Sequence, residues 1–186
     1  MLKRYQQLIK KHNLVSKEQL ADFSSSYFEG KKSQLGELGY SRDHEPGKKQ
    51  LTFGISTGIN SVPTALTIQK GNVQDNKHFK FMLKTAKKVL PENSVLIHDC
   101  GANTKANKKK IRKLKFHYLT LKAKKRKAYA PYLKLFKEQQ KEEVTINDII
   151  YKYVKVVEGD ETKYIFFSQK LAKDQKRKKK RSLRKS

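Results

Sequence analysis

The sequence has little cysteine, no long apolar run and few acidic residues. Its one cysteine, Cys100, excludes an internal disulfide and a cysteine-based zinc site. It shows no signal-peptide pattern and no lysine-rich helix with a strong apolar face, so a membrane is not indicated as a partner. Asp and Glu number only 17 among 186 residues.

Basic residues dominate the charge. Lys and Arg number 44, which gives a formal net charge of +27. A hydrophobic fraction of 36% leaves room for one domain with a modest core. Because so large a charge repels itself, a polyanion is expected to offset it, and nucleic acid is the obvious one. The composition therefore predicts a cytosolic protein that binds nucleic acid.

Hydrophobic periodicity predicts a mixed sheet with helical crossovers in the first two thirds of the chain. A short amphipathic helix is predicted over residues 2–12. The order after it is strand, strand, strand, helix, strand, helix, strand, and the segments are 19–29, 50–56, 62–69, 75–89, 95–97, 104–115 and 116–121. Beyond residue 122 the pattern predicts a helix at 128–140, strands at 149–157 and 164–168, and a charged tail.

Two aspartates are placed where a sheet can bind a ligand. Asp99 follows the apolar run Val95–Ile97 and precedes Gly101 and a helix start, a position at which open α/β sheets bind ligands. Asp22 lies within the β-prone segment 19–29. We predict that both lie on neighbouring strands and hold a divalent metal ion. The alternative for each aspartate is a cap on a turn or helix.

Four motifs carry a resemblance to a known family. They are residues 22–30 (DFSSSYFEG), 38–44 (LGYSRDH), 71–75 (GNVQD) and 98–103 (HDCGAN). In order and spacing they resemble the DDE transposases of bacterial and archaeal insertion sequences, in the family-four group with a ribonuclease-H-like catalytic core. The resemblance covers roughly residues 19–175.

The resemblance implies an α/β fold, a ribonuclease-H-like mixed sheet with flanking helices, followed by part of an inserted α+β subdomain and a basic tail. The expected boundaries are a helical leader at 1–18, the partial core at 19–121, the start of the insertion at 122–169 and the tail at 170–186. The tail is expected to be disordered without DNA.

The same resemblance implies metal-dependent cleavage and transfer of DNA strands in transposition. Asp22 and Asp99 are the expected catalytic and metal-binding residues, and Mg²⁺ or Mn²⁺ is the expected cofactor. Transposon ends and target DNA are the expected partners, with a homodimer left open and no membrane. The expected location is cytoplasmic, in a prokaryote, in association with the nucleoid.

The chain departs from the family pattern at three points. Phe23 follows the first acid where the family has Thr or Ser, and His98 and Cys100 flank Asp99 where the family has Ala and Arg. A third acid, a Glu in a Tyr-Arg-Glu-Lys-type signature, is not found. The expectation is a central piece of a transposase, shortened at both ends and impaired in catalysis.

The strongest charge signal is the segment 105–127, which has 12 basic residues and no acid. It follows Asp99 closely, so we predict that it contacts a DNA backbone, the alternative being a solvated basic face. The predicted DNA-binding residues are Arg42, Lys105, Lys108, Lys109, Lys110, Arg112, Lys113, Lys124, Lys125 and Arg126.

Other reactive side chains are assigned packing roles. Cys100 is predicted to be a small buried residue, and His78, His98 and His117 to be packed or surface residues rather than metal ligands. A second function is also consistent with the sequence, and it rests on charge alone. It is that of a non-enzymatic basic nucleic-acid-binding protein, such as a ribosome-associated factor or a transposition regulator.

Overall fold

The computed structural model describes residues 1–30, 33–40, 47–122 and 126–183, and the chain divides into two units, Met1–Ala123 and Lys124–Ser186. The elements of the first unit are α1 (Leu2–Lys11), β1 (Glu18–Tyr27), β2 (Glu37–Leu38), β3 (Lys49–Gly58), β4 (Pro63–Lys70), α2 (Asp75–Ala86), β5 (Val95–His98), α3 (Lys105–Lys113) and β6 (His117–Thr120). Among the described residues, no helix is both long and apolar enough to span a membrane.

A mixed sheet forms the centre of the first unit. Its strands run in the order β2-β3-β1-β5-β6, and β4 pairs with β3 on the same edge as β2. Strand β3 is antiparallel to both of its neighbours, β1 and β4. Strands β5 and β6 are parallel to β1, and helix α2 connects β4 to β5 while α3 connects β5 to β6. This is the topology of a ribonuclease-H-like sheet, so the fold class predicted from the sequence is confirmed.

One face of the sheet is covered and the other is open. In β1 the buried residues alternate with exposed ones, so Ala21 and Phe23 point into the core. There they join Phe79 of α2, Leu96 of β5 and Ile111 of α3, the last three fully buried. Helix α1 is attached to the same unit through Gln6, whose Nε2 donates to the Thr64 carbonyl oxygen at 2.9 Å.

The open face of the sheet carries the other half of each strand. Leu20 is 50% exposed, Ile55 41% and Leu119 57%. The register places these residues on the same side of the sheet as Asp22. Asp22 of β1 is opposite Ile55 of β3. Leu20, two residues before Asp22, is opposite Ile97 of β5, which is in turn opposite Leu119 of β6. The first aspartate therefore lies on an accessible surface.

The second unit is a small α+β unit. Its elements are α4 (Arg126–Glu138), β7 (Glu142–Ile146), β8 (Ile149–Glu158), β9 (Glu161–Phe167) and α5 (Gln169–Leu183). The three strands form an antiparallel sheet in the order β7-β8-β9. Asn147 and Asp148 connect β7 to β8 with φ angles of 48° and 60°, which fits the two-residue hairpin turns that favour Asn and Asp.

Three local features differ from the expectations. The sequence does not predict β7, whose residues EEVTI show little apolar alternation and depend on pairing with β8. The tail, expected to be disordered, forms helix α5, because its Lys, Arg, Gln, Ala and Leu residues are good helix formers. Helix α2 ends at Ala86, three residues before the end of the segment 75–89 predicted from the sequence.

Candidate metal and nucleic-acid site

Asp22 and Asp99 lie next to each other in register on adjacent parallel strands. The last paired residues of β1 and β5 are Ala21 and His98, and each aspartate is the following residue. Both side chains are exposed. Neighbouring strands are about 4.8 Å apart, so the two carboxylates lie side by side where the pairing of β1 with β5 ends, within reach of a shared ion.

Each of the two carboxylates uses one oxygen to cap a backbone amide. Asp22 Oδ1 accepts a hydrogen bond from the Phe23 amide at 2.8 Å, and Asp99 Oδ1 accepts one from the Gly101 amide at 2.9 Å. Within the described part of the chain, the other oxygen of each aspartate accepts no hydrogen bond. Hard cations such as Mg²⁺ prefer carboxylate oxygens, so the pair fits such an ion chemically.

The candidate site is a pair of acids rather than a larger cluster. No group of three or more His, Cys, Asp or Glu residues that could hold a metal ion occurs within ranges 1–30, 33–40, 47–122 and 126–183. An ion held by two carboxylates would keep several water ligands, as Mg²⁺ commonly does.

His98 fixes the backbone of the second aspartate. Its ring is buried, with Nδ1 2.9 Å from the Asp99 carbonyl oxygen and its centroid 4.8 Å from that of Phe79. Burial lowers the pKa of His98, against the opposing effects of the Asp99 carbonyl and carboxylate, and the positive charge of Lys108 lowers it further. His98 is therefore a neutral, packed side chain.

Cys100 differs from its expectation. The sequence predicts a small buried residue, but the Cys100 side chain is exposed. The reason is local: β5 ends at His98, and Cys100 lies in the bend and turn at residues 100–102 that precede α3.

Helix α3 starts close to the aspartates and is fixed in place at its first turn. Thr104 is its N-cap, and the threonine Oγ1 accepts from the Asn107 amide at 3.2 Å. The buried Asn107 side chain donates to the carbonyl oxygens of Asn76 at 3.0 Å and Ala102 at 2.9 Å. The starts of α2 and α3 are thereby joined.

The basic residues of α3 fall into two groups. Lys108 and Arg112 pack on the Tyr118 ring, 5.3 and 5.5 Å from its centroid, and Arg112 Nη2 donates to the Tyr118 hydroxyl at 2.7 Å. The remaining four are exposed and form no ion pair with any described residue: Lys105, Lys109, Lys110 and Lys113. These four ammonium groups are available to an anionic partner.

Comparison with known proteins gives matches only among solved structures. No family model matches the chain, and no curated protein matches it. The chain is similar to two transposase structures. One is a piggyBac transposase synaptic complex with hairpin DNA, at 11% identity and a TM-score of 0.47, covering 82% of this chain and 33% of that chain. The other is a Mos1 transposase paired-end complex with the left transposon end, at 12% identity and a TM-score of 0.41, covering 75% and 53%.

The chain thus spans a third of the length of the piggyBac chain and about half of the Mos1 chain.

The remaining predicted DNA-binding residues are not placed near the aspartates by any observation. Arg42, Lys124 and Lys125 lie outside the described residues, and Arg126 is the first residue of α4 in the second unit.

Sequence reasoning misses one acid close to Asp99. A Cβ placed on Gly101 would lie 2.9 Å from Asp75 Oδ2 and 3.3 Å from Asp99 Oδ1, so both carboxylates border the same glycine. The sequence pattern alone indicates only a helix cap for Asp75. One sequence signal could have indicated that Asp75 lies near Asp99. Asp75 is in the first turn of the helix that follows β4, and β4 and β5 both end at this side of the sheet.

Proposed function

We propose that this chain is a transposase-type DNA-binding protein in which Asp22 and Asp99 hold a divalent ion, Mg²⁺ or Mn²⁺, beside the DNA. The observation that carries the proposal is the register of β1 and β5, which makes the two aspartates neighbours although 77 positions separate them in sequence. A pair of exposed carboxylates, one within β1 and one directly after β5, at the point where the pairing of these two parallel strands stops, is a suitable cation site.

The chemistry proposed is hydrolysis and transfer of phosphodiester bonds. A bound ion of this kind would activate an attacking water or 3′-hydroxyl group and stabilise the leaving oxygen. The chain itself contributes position: β1 and β5 hold the two carboxylates level, and the Phe23 and Gly101 amides orient one oxygen of each.

DNA binding is proposed through helix α3. The four exposed lysines of this helix begin six residues after Asp99, on an element whose start is fixed by Asn107. Contacts of this kind neutralise phosphates without reading base sequence, and they make the affinity fall steeply with salt. Transposon ends and target DNA are the proposed substrates.

Three expectations from the sequence resemblance stay predictions: dimerisation, membership of the insertion-sequence group and a nucleoid location in a prokaryote.

One observation favours the second function. Among the described residues no group of three or more His, Cys, Asp or Glu could hold a metal ion, so the protein could bind nucleic acid without cutting it. A non-enzymatic nucleic-acid-binding protein would bind DNA with the same salt dependence but would be indifferent to metal ions and to both aspartates.

Calorimetric titration with Mn²⁺ separates the two functions. Asp22→Asn and Asp99→Asn should each weaken Mn²⁺ binding at least tenfold, because each removes one of two anionic ligands. Asp148→Asn is the matched control, since this residue occupies a hairpin turn of the second unit and Asn tolerates its positive φ. Mn²⁺ binding that is unchanged in both site variants, together with metal-independent DNA binding, would establish the non-enzymatic function instead.

A further inference from the structure

A cleft of about 420 Å³ opens beside Gly101 on the helix-covered side of the sheet edge. Its floor is formed by Ser25 of β1 and Thr52 of β3, which are paired in register. It is also lined by Gly39 and Tyr40 and by residues 71–76.

The walls of the cleft are tied together. Gln50 is only 2% exposed, and its Nε2 donates to the carbonyl oxygens of Tyr40 at 2.9 Å and Gly71 at 3.0 Å. A Cβ on Gly39 would collide with the Gly71 carbonyl oxygen, so these two backbone segments are in direct contact. The cleft is therefore formed before any ligand arrives.

Two residues that line this cleft each carry a buried polar atom with no hydrogen-bond partner among the described residues. These atoms are Ser25 Oγ, on a residue only 7% exposed, and Asn76 Oδ1 at the start of α2. Leaving a buried polar group unpaired destabilises the folded protein. A ligand that supplies a hydrogen-bond donor to Asn76 Oδ1 and pairs with the Ser25 hydroxyl would remove this destabilisation.

The charge of the lining narrows the class of ligand. Although the chain carries a net charge of +27, no Lys or Arg occurs among the described residues that line the cleft, and the Asp75 carboxylate borders it. A phosphate is therefore disfavoured here. An uncharged group with N–H donors suits the lining, and Tyr40, a lining residue that is 85% exposed, has a ring on which a flat ligand can stack.

We propose that this cleft binds a nucleobase. The source of the base, an unpaired position of a bound DNA strand, rests on the proposed function. Gly101 lines the cleft, and a Cβ placed on it would lie 3.3 Å from Asp99 Oδ1, so the cleft borders the candidate metal site. Phosphates of such a strand would contact the exposed lysines of α3 while one base enters the cleft, whose described lining has no basic residue. A free nucleoside presents the same chemistry, and the test distinguishes the two sources.

The probe is a DNA duplex with a single-stranded 3′ overhang that carries 2-aminopurine, titrated in EDTA so that no metal ion takes part. Stacking on Tyr40 should quench the fluorophore, and Tyr40→Ala should weaken the quenching titration by roughly 5- to 100-fold. A duplex whose overhang has an abasic site in place of the base should bind more weakly by the same factor. Quenching of free 2-aminopurine riboside at similar concentration would assign the cleft to free nucleosides rather than to a strand.

Ser25→Ala and Ser24→Ala form the matched pair. Removing the unpaired Ser25 hydroxyl should raise the melting temperature of the free protein and weaken base binding about 3- to 10-fold, since only the ligand pairs with it. Ser24 lies on the opposite face of β1 and is exposed, so Ser24→Ala should change neither quantity.

Quenching that is the same in wild type, Tyr40→Ala and Ser25→Ala would overturn the nucleobase proposal while leaving Mn²⁺ binding at Asp22 and Asp99 untouched. Loss of Mn²⁺ binding without loss of quenching would instead defeat only the metal site. The two proposals therefore fail separately.

Discussion

The Thr120 hydroxyl of β6 donates a hydrogen bond to the Asp99 carbonyl oxygen at 2.9 Å. The same carbonyl lies 2.9 Å from His98 Nδ1, and because a carbonyl oxygen can only accept, we assign the proton of the neutral imidazole to Nδ1. The backbone of Asp99 is thus held from two sides just where its carboxylate leaves the sheet. Strand β6 carries no predicted site residue, yet it determines where the second carboxylate lies.

Thr120→Val should loosen this position. The substitution keeps the shape and β-propensity of the side chain but removes the donor, so we expect a loss of about 1 kcal/mol in the free energy of unfolding. Mn²⁺ affinity should fall with it, by a few-fold, because Asp99 is no longer fixed. Thr120→Ser, which retains the hydroxyl, should preserve the Mn²⁺ affinity; a valine variant with wild-type affinity would show that the hydrogen bond does not position Asp99.

The two buried histidines should make the protein less stable in mild acid. Burial lowers the pKa of both His78 and His98 below the ordinary value of 6.5. Below pH 6.5 the unfolded chain therefore binds more protons than the folded one, and the free energy of unfolding decreases as the pH falls. The decrease stops once the pH is below the folded-state pKa values, and the slope is at most about 1.4 kcal/mol per pH unit for each histidine.

Urea unfolding between pH 7.5 and 5 measures this effect. His78→Gln and His98→Gln should each flatten the pH dependence, whereas His117→Gln, at an exposed position of β6, should leave it unchanged. A wild-type protein whose stability is constant over this range would contradict the assignment of two buried neutral imidazoles.

The packing of α2 against the sheet can be tested with two phenylalanines on the same helix. Phe79 is fully buried, with ring centroids 6.1 Å from Phe23 and 4.8 Å from His98. Phe79→Ala should cost about 3–5 kcal/mol by chemical denaturation, since it removes a large side chain from a dense core. Phe81 is 49% exposed, so Phe81→Ala should cost about 1 kcal/mol or less. Equal losses in the two variants would show that α2 does not pack Phe79 against the sheet.

The sheet could be predicted from the sequence because its signals are local. The apolar run before Asp99 and the alternation around Asp22 indicate a strand near each acid, and the family motifs suggest that the strands are neighbours. The register could not be predicted, because a shift of one residue would turn Asp22 into the core, and only the pairing of Ala21 with His98 excludes that arrangement.

The cleft could not be predicted, because its parts come from segments distant in sequence. Ser25, Gln50 and Asn76 are ordinary polar residues in isolation, and they meet only when β1, β3 and the start of α2 converge at one sheet edge.

Helix α5 was not predicted for another reason. A long charged run is typical of disorder, although Lys and Arg have good intrinsic helix propensity.

The exposed lysines of α3 should control the salt dependence of DNA binding. Replacing Lys105, Lys109, Lys110 and Lys113 by Gln should reduce the slope of log K against log salt by up to about 3.6, because each phosphate that is no longer neutralised lowers the slope by about 0.9. The matched control replaces Lys80 and Lys84, two exposed lysines of α2, and should leave the slope nearly unchanged. Because Gln retains the helix propensity of Lys, α3 should stay folded. If both sets of substitutions reduce the slope equally per residue, the charge acts as a diffuse field over the whole unit, and α3 is not the binding surface.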